Sequence, residues 1–278
     1  MGYKTILVHC DASETAGQQM AVATELTQRF GAILVGLHAR RPFESTNYFD
    51  IGLPMDPLLD AHERNVNAEQ AAAETTFGKS IKGKHLATEW RVVEGYPDDE
   101  LAVNARYADL LVVGQSDRKN VSPIPGNLPE SVALATGRPV LVVPQIGAAK
   151  PLGNVVMLCW NASRESARAA VDALPFLKSA KEVIVLIVDP HTSANGHGAE
   201  PGADVAIWLS RHGVKVTVQR DVAPDTDVGN VILSRSADHG VDLIVMGVYG
   251  HSRLREMVLG GVSRTLLSSM TVPILMSH

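Results

Sequence analysis

The chain has 278 residues, 45% of them hydrophobic and 20% charged, with a formal net charge of -5. This length suits one large domain or two ordinary ones, and the balance is that of a globular protein. No basic block or acidic tail occurs, which argues against nucleic acid as a partner, because a phosphate backbone calls for clustered Lys and Arg. The two cysteines, Cys10 and Cys159, exclude a disulfide scaffold; each sits in an apolar run and reads as a small buried hydrophobe. Met1 to Thr5 leads straight into such a run without the pattern of a secretory signal. No apolar run approaches the ~18–20 residues of a membrane span. The expectation is a cytoplasmic protein with no membrane contact.

In chain order, short apolar runs occupy 5–10, 32–39, 109–114 and 139–144, with a weaker one at 87–93. They return at 154–160, 182–188, 214–218, 242–247 and 273–276. Runs this short, rich in β-branched residues and separated by helical stretches, read as buried parallel strands. The stretches 14–30 and 163–177 are rich in Ala, and Ser13 and Ser163 stand ready to cap them. Alternation of strand and helix implies an α/β fold with a parallel sheet.

The two halves repeat. The first strand ends at Cys10-Asp11-Ala12-Ser13 and again at Trp160-Asn161-Ala162-Ser163; the last begins at Pro139 and again at Pro273. A duplication of this kind sets the domain count. The reading is two flavodoxin-like (Rossmann-like) doubly wound domains, 1–147 and 152–278, each a five-stranded parallel sheet flanked by helices, with a linker rich in Gly, Ala and Pro at 145–153. In such sheets ligands bind beyond the carboxyl ends of strands, where strand order reverses between the first and the fourth. That rule selects Asp11 with Gly114, and Asn161 with Gly247.

After the fourth strand of the second half comes Met246-Gly247-Val248-Tyr249-Gly250, then nine residues, then Gly260-Gly261-Val262-Ser263. Glycines let a backbone approach a ligand and take positive φ. A helix starting at Gly261 or Val262 would aim free N–H groups at an anion, and Ser263 adds a hydroxyl. By spacing alone the glycines serve either a phosphate cradle or tight turns. His251 and Arg253 lie inside the loop, as phosphate contacts or as surface charge. Trp160 either walls the pocket or packs in the core.

The segment GVYGHSRLREMVLGGVSRTLL resembles the G-x2-G-x9-G-[S/T] signature of ATP-binding universal stress proteins, and the resemblance extends over both halves. It implies ATP, with or without Mg2+, between the first and fourth strands of the second half. It places Gly247, Gly250 and Gly260 as the signature glycines after Met246, and Val188 as a backbone contact to adenine. Gly261 stands where the family has Ser or Thr, while Ser263 keeps the second hydroxyl position. Asn161 stands where ATP-binding members have Asp. The resemblance also implies pairing through the last strands, hence a pseudo-dimer within the chain and a possible route to a homodimer.

The first half departs further. Asp11 keeps the acid, but the loop runs Gly114-Gln115-Ser116-Asp117 to Gly126-Asn127, one residue shorter. Asp117 replaces the second glycine, and Pro123, Pro125 and Pro129 remove donors. A carboxylate there repels phosphate, so this half reads as degenerate and empty. Other motifs fail on inspection. Gly78 to Lys84 fits G-x4-G-K, but His85 stands where Ser or Thr is required. Neither Gly114-Gln115-Ser116 nor Gly250-His251-Ser252 completes a nucleophile elbow. His191 and His197 have no standard metal spacing. No acid, base or Lys is placed to activate water, so catalysis extends at most to a slow ATPase. Two functions remain: a stress-response protein binding adenine nucleotide in the second half, or a module of the same family that engages a protein partner without nucleotide.

Overall fold

The computed structural model describes residues 2–44, 55–116, 128–148, 151–190, 199–223, 226–248 and 261–278. In the first half, β1 (Thr5–His9), β2 (Ile33–Arg40), β3 (Ala87–Glu94), β4 (Leu110–Gly114) and β5 (Val140–Val143) alternate with α1 (Ala16–Phe30), α2 (Met55–Ile81), α3 (Pro97–Ala105) and α4 (Leu128–Ala135). The second half repeats this with β6 (Val155–Cys159), β7 (Glu182–Val188), β8 (Val216–Asp221), β9 (Leu243–Gly247) and β10 (Ile274–Ser277). Its helices are α5 (Arg164–Asp172), α6 (Leu174–Leu177), α7 (Ala203–Arg211), α8 (Val228–Asp238) and α9 (Gly261–Ser269).

All ten strands form one sheet in the order β3-β2-β1-β4-β5-β10-β9-β6-β7-β8. Within each half every pairing is parallel, and order reverses between the first and fourth strands as the α/β rule requires. The halves join through β5 and β10, which pair antiparallel in the register Val140↔Met276, Leu141↔Leu275 and Val142↔Ile274. The strands of the two halves therefore run in opposite directions, and their carboxyl ends emerge at opposite edges of the sheet.

Alternation along the strands feeds two continuous apolar layers. Ile6, Val8, Leu141, Val156, Leu158 and Leu275 pack on one face under α1, α2, α5, α6 and α7. Leu7, Val140, Val142, Met157, Ile274 and Met276 pack on the other under α3, α4, α8 and α9. Both layers run through the β5–β10 seam. One device anchors each half. Asp109, just before β4, accepts from Lys4 N and Thr5 N at 2.7 and 3.0 Å; Asp242, just before β9, accepts from Gly153 N and Asn154 N at 2.9 Å each.

Aromatic side chains clamp the halves together on the α1 face. Tyr3, Phe30 and Phe176 meet with ring centroids 5.1–5.7 Å apart, and Arg29 lies 5.4 Å from the Phe30 ring and 5.7 Å from that of Phe176. Tyr3 donates its hydroxyl to the Asp172 carbonyl at 2.7 Å, and Arg29 reaches the Leu152 carbonyl and Ser179.

Two local expectations change. Ser163 caps α5 by accepting from Ser166 N at 3.1 Å, but α1 starts after Thr15 without a side-chain cap: Ser13 lies two residues before that position, and its hydroxyl donates to Asp11. The stretch after Ser163 is not one helix: it breaks at Ala173, where Pro175 cannot supply the next N–H. Among the described residues no helix is long and apolar enough to cross a membrane.

Because both layers cross the seam, the halves should unfold as one unit. Urea denaturation followed by fluorescence and circular dichroism should give a single coincident transition. Phe176→Ala should shift it by about 3–5 kcal/mol. Two separate transitions would show that the halves are independent.

Candidate functional site

In the second half, β6 and β9 lie side by side and deliver Asn161 and Gly247 to the same edge of the sheet, with Val188 at the end of the adjoining β7. Asn161 is exposed and turns back on its own loop, its Oδ1 accepting from Ser163 N at 3.2 Å. The two residues after Asn161 and Val188 both take left-handed backbone: Ala162 at φ 58° and Asp189 at φ 49°. Such a conformation costs an L-residue roughly 1–2 kcal/mol, and strain of this kind gathers at binding sites. Asp189 is held there by its N–H on the Asp221 carbonyl and by its Oδ1, which accepts from Ala223 N, each at 2.9 Å.

Met246 is buried and Gly247 partly so. A Cβ on Gly247 would stand 2.4 Å from the Glu165 carbonyl carbon and 2.5 Å from Ser166 N, both in the first turn of α5. This glycine thus has a packing reason that stands apart from any ligand. Its counterpart Gly114 meets the Gln19 side chain at 2.2 Å, an obstacle that can rotate. Glu165 is buried beside Gly247; burial pushes its carboxyl up, but Arg164 and the hydrogen bonds of the helix start bring it below the ordinary value. The described part of α9 runs Gly261–Ser269, with Val262 half-buried and Ser263 buried. Gly250, His251, Arg253 and Gly260 lie outside the described residues, as do Asp117, His191 and His197. Trp160 packs against the core layer under α5.

A model of the universal stress protein family matches residues 2–144 and again 154–278. The chain belongs to the universal stress protein family. Among solved structures, a universal stress protein from Archaeoglobus fulgidus is similar over 98% of this chain and 95% of its own, with 16% identity and a TM-score of 0.74. A putative universal stress protein from Pseudomonas aeruginosa is similar over 99% and 93%, with 11% identity and a TM-score of 0.62. Both likenesses establish the fold, an α/β architecture of two universal stress protein units. The universal stress protein Slr1230 of Synechocystis is 31% identical over 87 residues, which is 31% of this chain and 27% of that relative.

Within this universal stress protein the first half presents a different edge. By register, His9 stands where the second half has Cys159, and His38 where it has Ile187. Both histidines are buried. His38 Nδ1 lies 2.8 Å from the Cys10 carbonyl, while its Nε2 and His9 Nδ1 have no hydrogen-bond partner among the described residues. Asp11 Oδ2 stands 3.7 Å from His9 Nδ1. Sequence reasoning passed over these residues, although a signal was present: a histidine near the end of each of two strands that are otherwise apolar. Cys159 is a thiol that burial pushes up to about 12, so it stays protonated and serves as packing. Among the described residues no group of three His, Cys, Asp or Glu converges on a metal position.

Burial holds His9 below the ordinary histidine value; Asp11 pulls the other way, and His38 and Arg41 act with burial. The unfolded chain therefore takes up this proton more readily than the folded one. The corresponding stability is present above the ordinary value of about pH 6.5 and is lost as pH falls through the depressed folded value. Thermal melts at about pH 7.5 and 5.5 should show a loss in the natural chain that is clearly smaller in His9→Gln. A second test concerns packing: Gly247→Ala should destabilise the fold by about 1–3 kcal/mol with no ligand present, read by urea denaturation.

Proposed function

We propose that this universal stress protein binds an adenine nucleotide, ATP with or without Mg2+, at the carboxyl edge of the second half. The observation that carries the reading is the parallel pairing of β6 with β9 and β7, which brings the ends of these strands, with Asn161, Val188 and Gly247, to one edge of the sheet, where the spaced-glycine segment of the sequence follows β9. In this reading the phosphates take the N-terminus of α9 with Gly250, Gly260, Gly261, Val262 and Ser263. His251 and Arg253 supply charge, and Met246 and Gly247 form the floor. Adenine lies against Val188. Any Mg2+ would come with the phosphates, since the described residues supply no three-ligand cluster of His, Cys, Asp and Glu. The proposal extends to a division at 1–147 and 152–278, a cytoplasmic setting, and a protein partner or homodimer acting downstream of the bound nucleotide.

A second reading, an interaction module without nucleotide, draws on two details: Asn161 Oδ1 is already engaged by Ser163 N, and Gly261 offers no hydroxyl. One substitution separates the readings. Asn161→Asp would keep the turn with one oxygen and present the other as a charged acceptor to a ribose hydroxyl or adenine amine. Charged hydrogen bonds exceed neutral ones by about 1 kcal/mol, roughly fivefold in affinity. Calorimetry should show Asn161→Asp binding ATP several-fold more tightly than the natural chain. If neither binds at millimolar ATP, the interaction module stands. Weaker binding in the variant would mean that the Asn161 amide donates to the ligand.

A further inference from the structure

The carboxyl end of β8 and one flank of α8 enclose a cavity of about 290 Å3 for which the nucleotide reading has no use. Asp221 and Val222 line it from the strand end, and Thr226 from the turn that follows. The rest of the wall is helical: Asn230 with Ser234, and Val231 with Arg235. Each of these pairs is one helical turn apart, so a single flank of α8 presents all four. None of Asn161, Val188 and Gly247 lines the cavity.

One cation is fixed in that wall. Arg235 donates from Nε and Nη2 to the two oxygens of Asp221, the second at 3.4 Å, and from Nη1 to Asp238 at 2.8 Å. A guanidinium carries five N–H donors, so one hydrogen remains on each Nη. Asp221 Oδ1 also accepts from Val222 N at 3.1 Å, which leaves neither oxygen of this carboxylate unengaged.

The same fold does without this pair in the first half. By register Asp221 adjoins Val188 as Val93 adjoins Ala39, and Val93 packs against a core layer. Counted from the residue before each helix, Tyr96 for α3 and Asp227 for α8, Ser234 and Arg235 stand where the first half has Val103 and Asn104. The second half therefore has Asp221 and Ser234 where the architecture accepts two valines.

The lining narrows what would fit. Thr226, Asn230 and Ser234 are exposed, and their side chains make no hydrogen bond among the described residues. Hydroxyl and amide groups both donate and accept, whereas Arg235 only donates. Val222, 66% exposed, and Val231 add apolar surface. Arg235 between Asp221 and Asp238 leaves the trio with net negative charge, so an anion meets repulsion. A cation finds no unengaged carboxylate in the described lining. The remaining class is an uncharged ligand whose polar groups both donate and accept at short spacing and whose body is C–H. A ring with hydroxyls on successive carbons has that chemistry.

We propose that this cavity is a second small-molecule site of the chain, for an uncharged polyhydroxylated ring, either a free monosaccharide or a cyclitol. The site does not depend on the nucleotide reading of the second half, and the test separates them.

The full chain, labelled with 15N, is titrated with glucose, ribose and myo-inositol at millimolar concentration while the backbone amide signals are followed. Two controls accompany them: glucose phosphate, which adds negative charge, and cyclohexanol, which keeps a ring with a single hydroxyl. The expected result is a saturable shift with at least one of the three probes, confined to residues 221–222 and 226–235, and none there with the controls. A response to glucose or ribose alone identifies a sugar site, and to myo-inositol alone a cyclitol site. Ser234→Val gives this exposed position the residue type of the first half. It should weaken the affinity roughly two- to tenfold, the worth of one neutral hydrogen bond. ATP added to the loaded chain should leave these shifts in place. No saturable shift with any of the three would make the Asp221–Arg235 pair a strap between β8 and α8 and overturn the proposal. So would equal binding of either control, displacement of the probe by ATP, or an undiminished response in Ser234→Val.

Discussion

The antiparallel pairing of β5 with β10 is the constraint on which the rest of this molecule depends. Each half ends in a strand that, alone, would be an apolar edge with unpaired backbone groups, and such edges invite association. Val140, Leu141 and Val142 set against Met276, Leu275 and Ile274 close both edges at once. The same pairing makes two five-stranded sheets into one and carries both core layers across the seam. The outer edges left over are β3 and β8, whose residues are mostly half-buried or exposed and include Glu89, Arg91, Glu94, Arg220 and Asp221. Charge on these edges serves the purpose that pairing serves at the centre.

That geometry also separates the carboxyl edges of the two halves. Opposed strand directions put the carboxyl ends of β1 and β6 at opposite edges of the sheet, so the halves cannot share one ligand between them. Each edge has diverged in its own way. The second has Cys159, Asn161 and Val188, with left-handed backbone at Ala162 and Asp189. The first has His9, Asp11 and Ala39, with a buried imidazole and a carboxylate held by Ser13.

Much of this was legible in the residues themselves. Ten apolar runs, the recurrence of Asp11-Ala12-Ser13 as Asn161-Ala162-Ser163, and the spacing of Gly247, Gly250 and Gly260 are local patterns, and local patterns survive in one dimension. They specify strands, helices and duplication. The cap at Ser163 was legible because the hydroxyl acts within three residues. The missing cap at Ser13 was not, because α1 starts after Thr15, two residues further on, and composition does not place a helix start to within two residues. The break at Ala173 was signalled by Pro175 and hidden by the alanine-rich run around it.

The sequence by itself determined the alternation of strand and helix, the repeat, and which strand ends carry Asp11, Asn161 and the glycines, because these follow from periodicity and residue type. Only the tertiary structure decided what surrounds those residues. Gly247 proved to be required by the backbone of α5, a contact between segments some eighty residues apart. His9 and Asp11 proved to stand side by side, Nδ1 3.7 Å from Oδ2, and Tyr3, Phe30 and Phe176 to form one cluster across the two halves. Such facts depend on distances between elements remote in the chain, which packing of the whole sheet sets and no local pattern encodes.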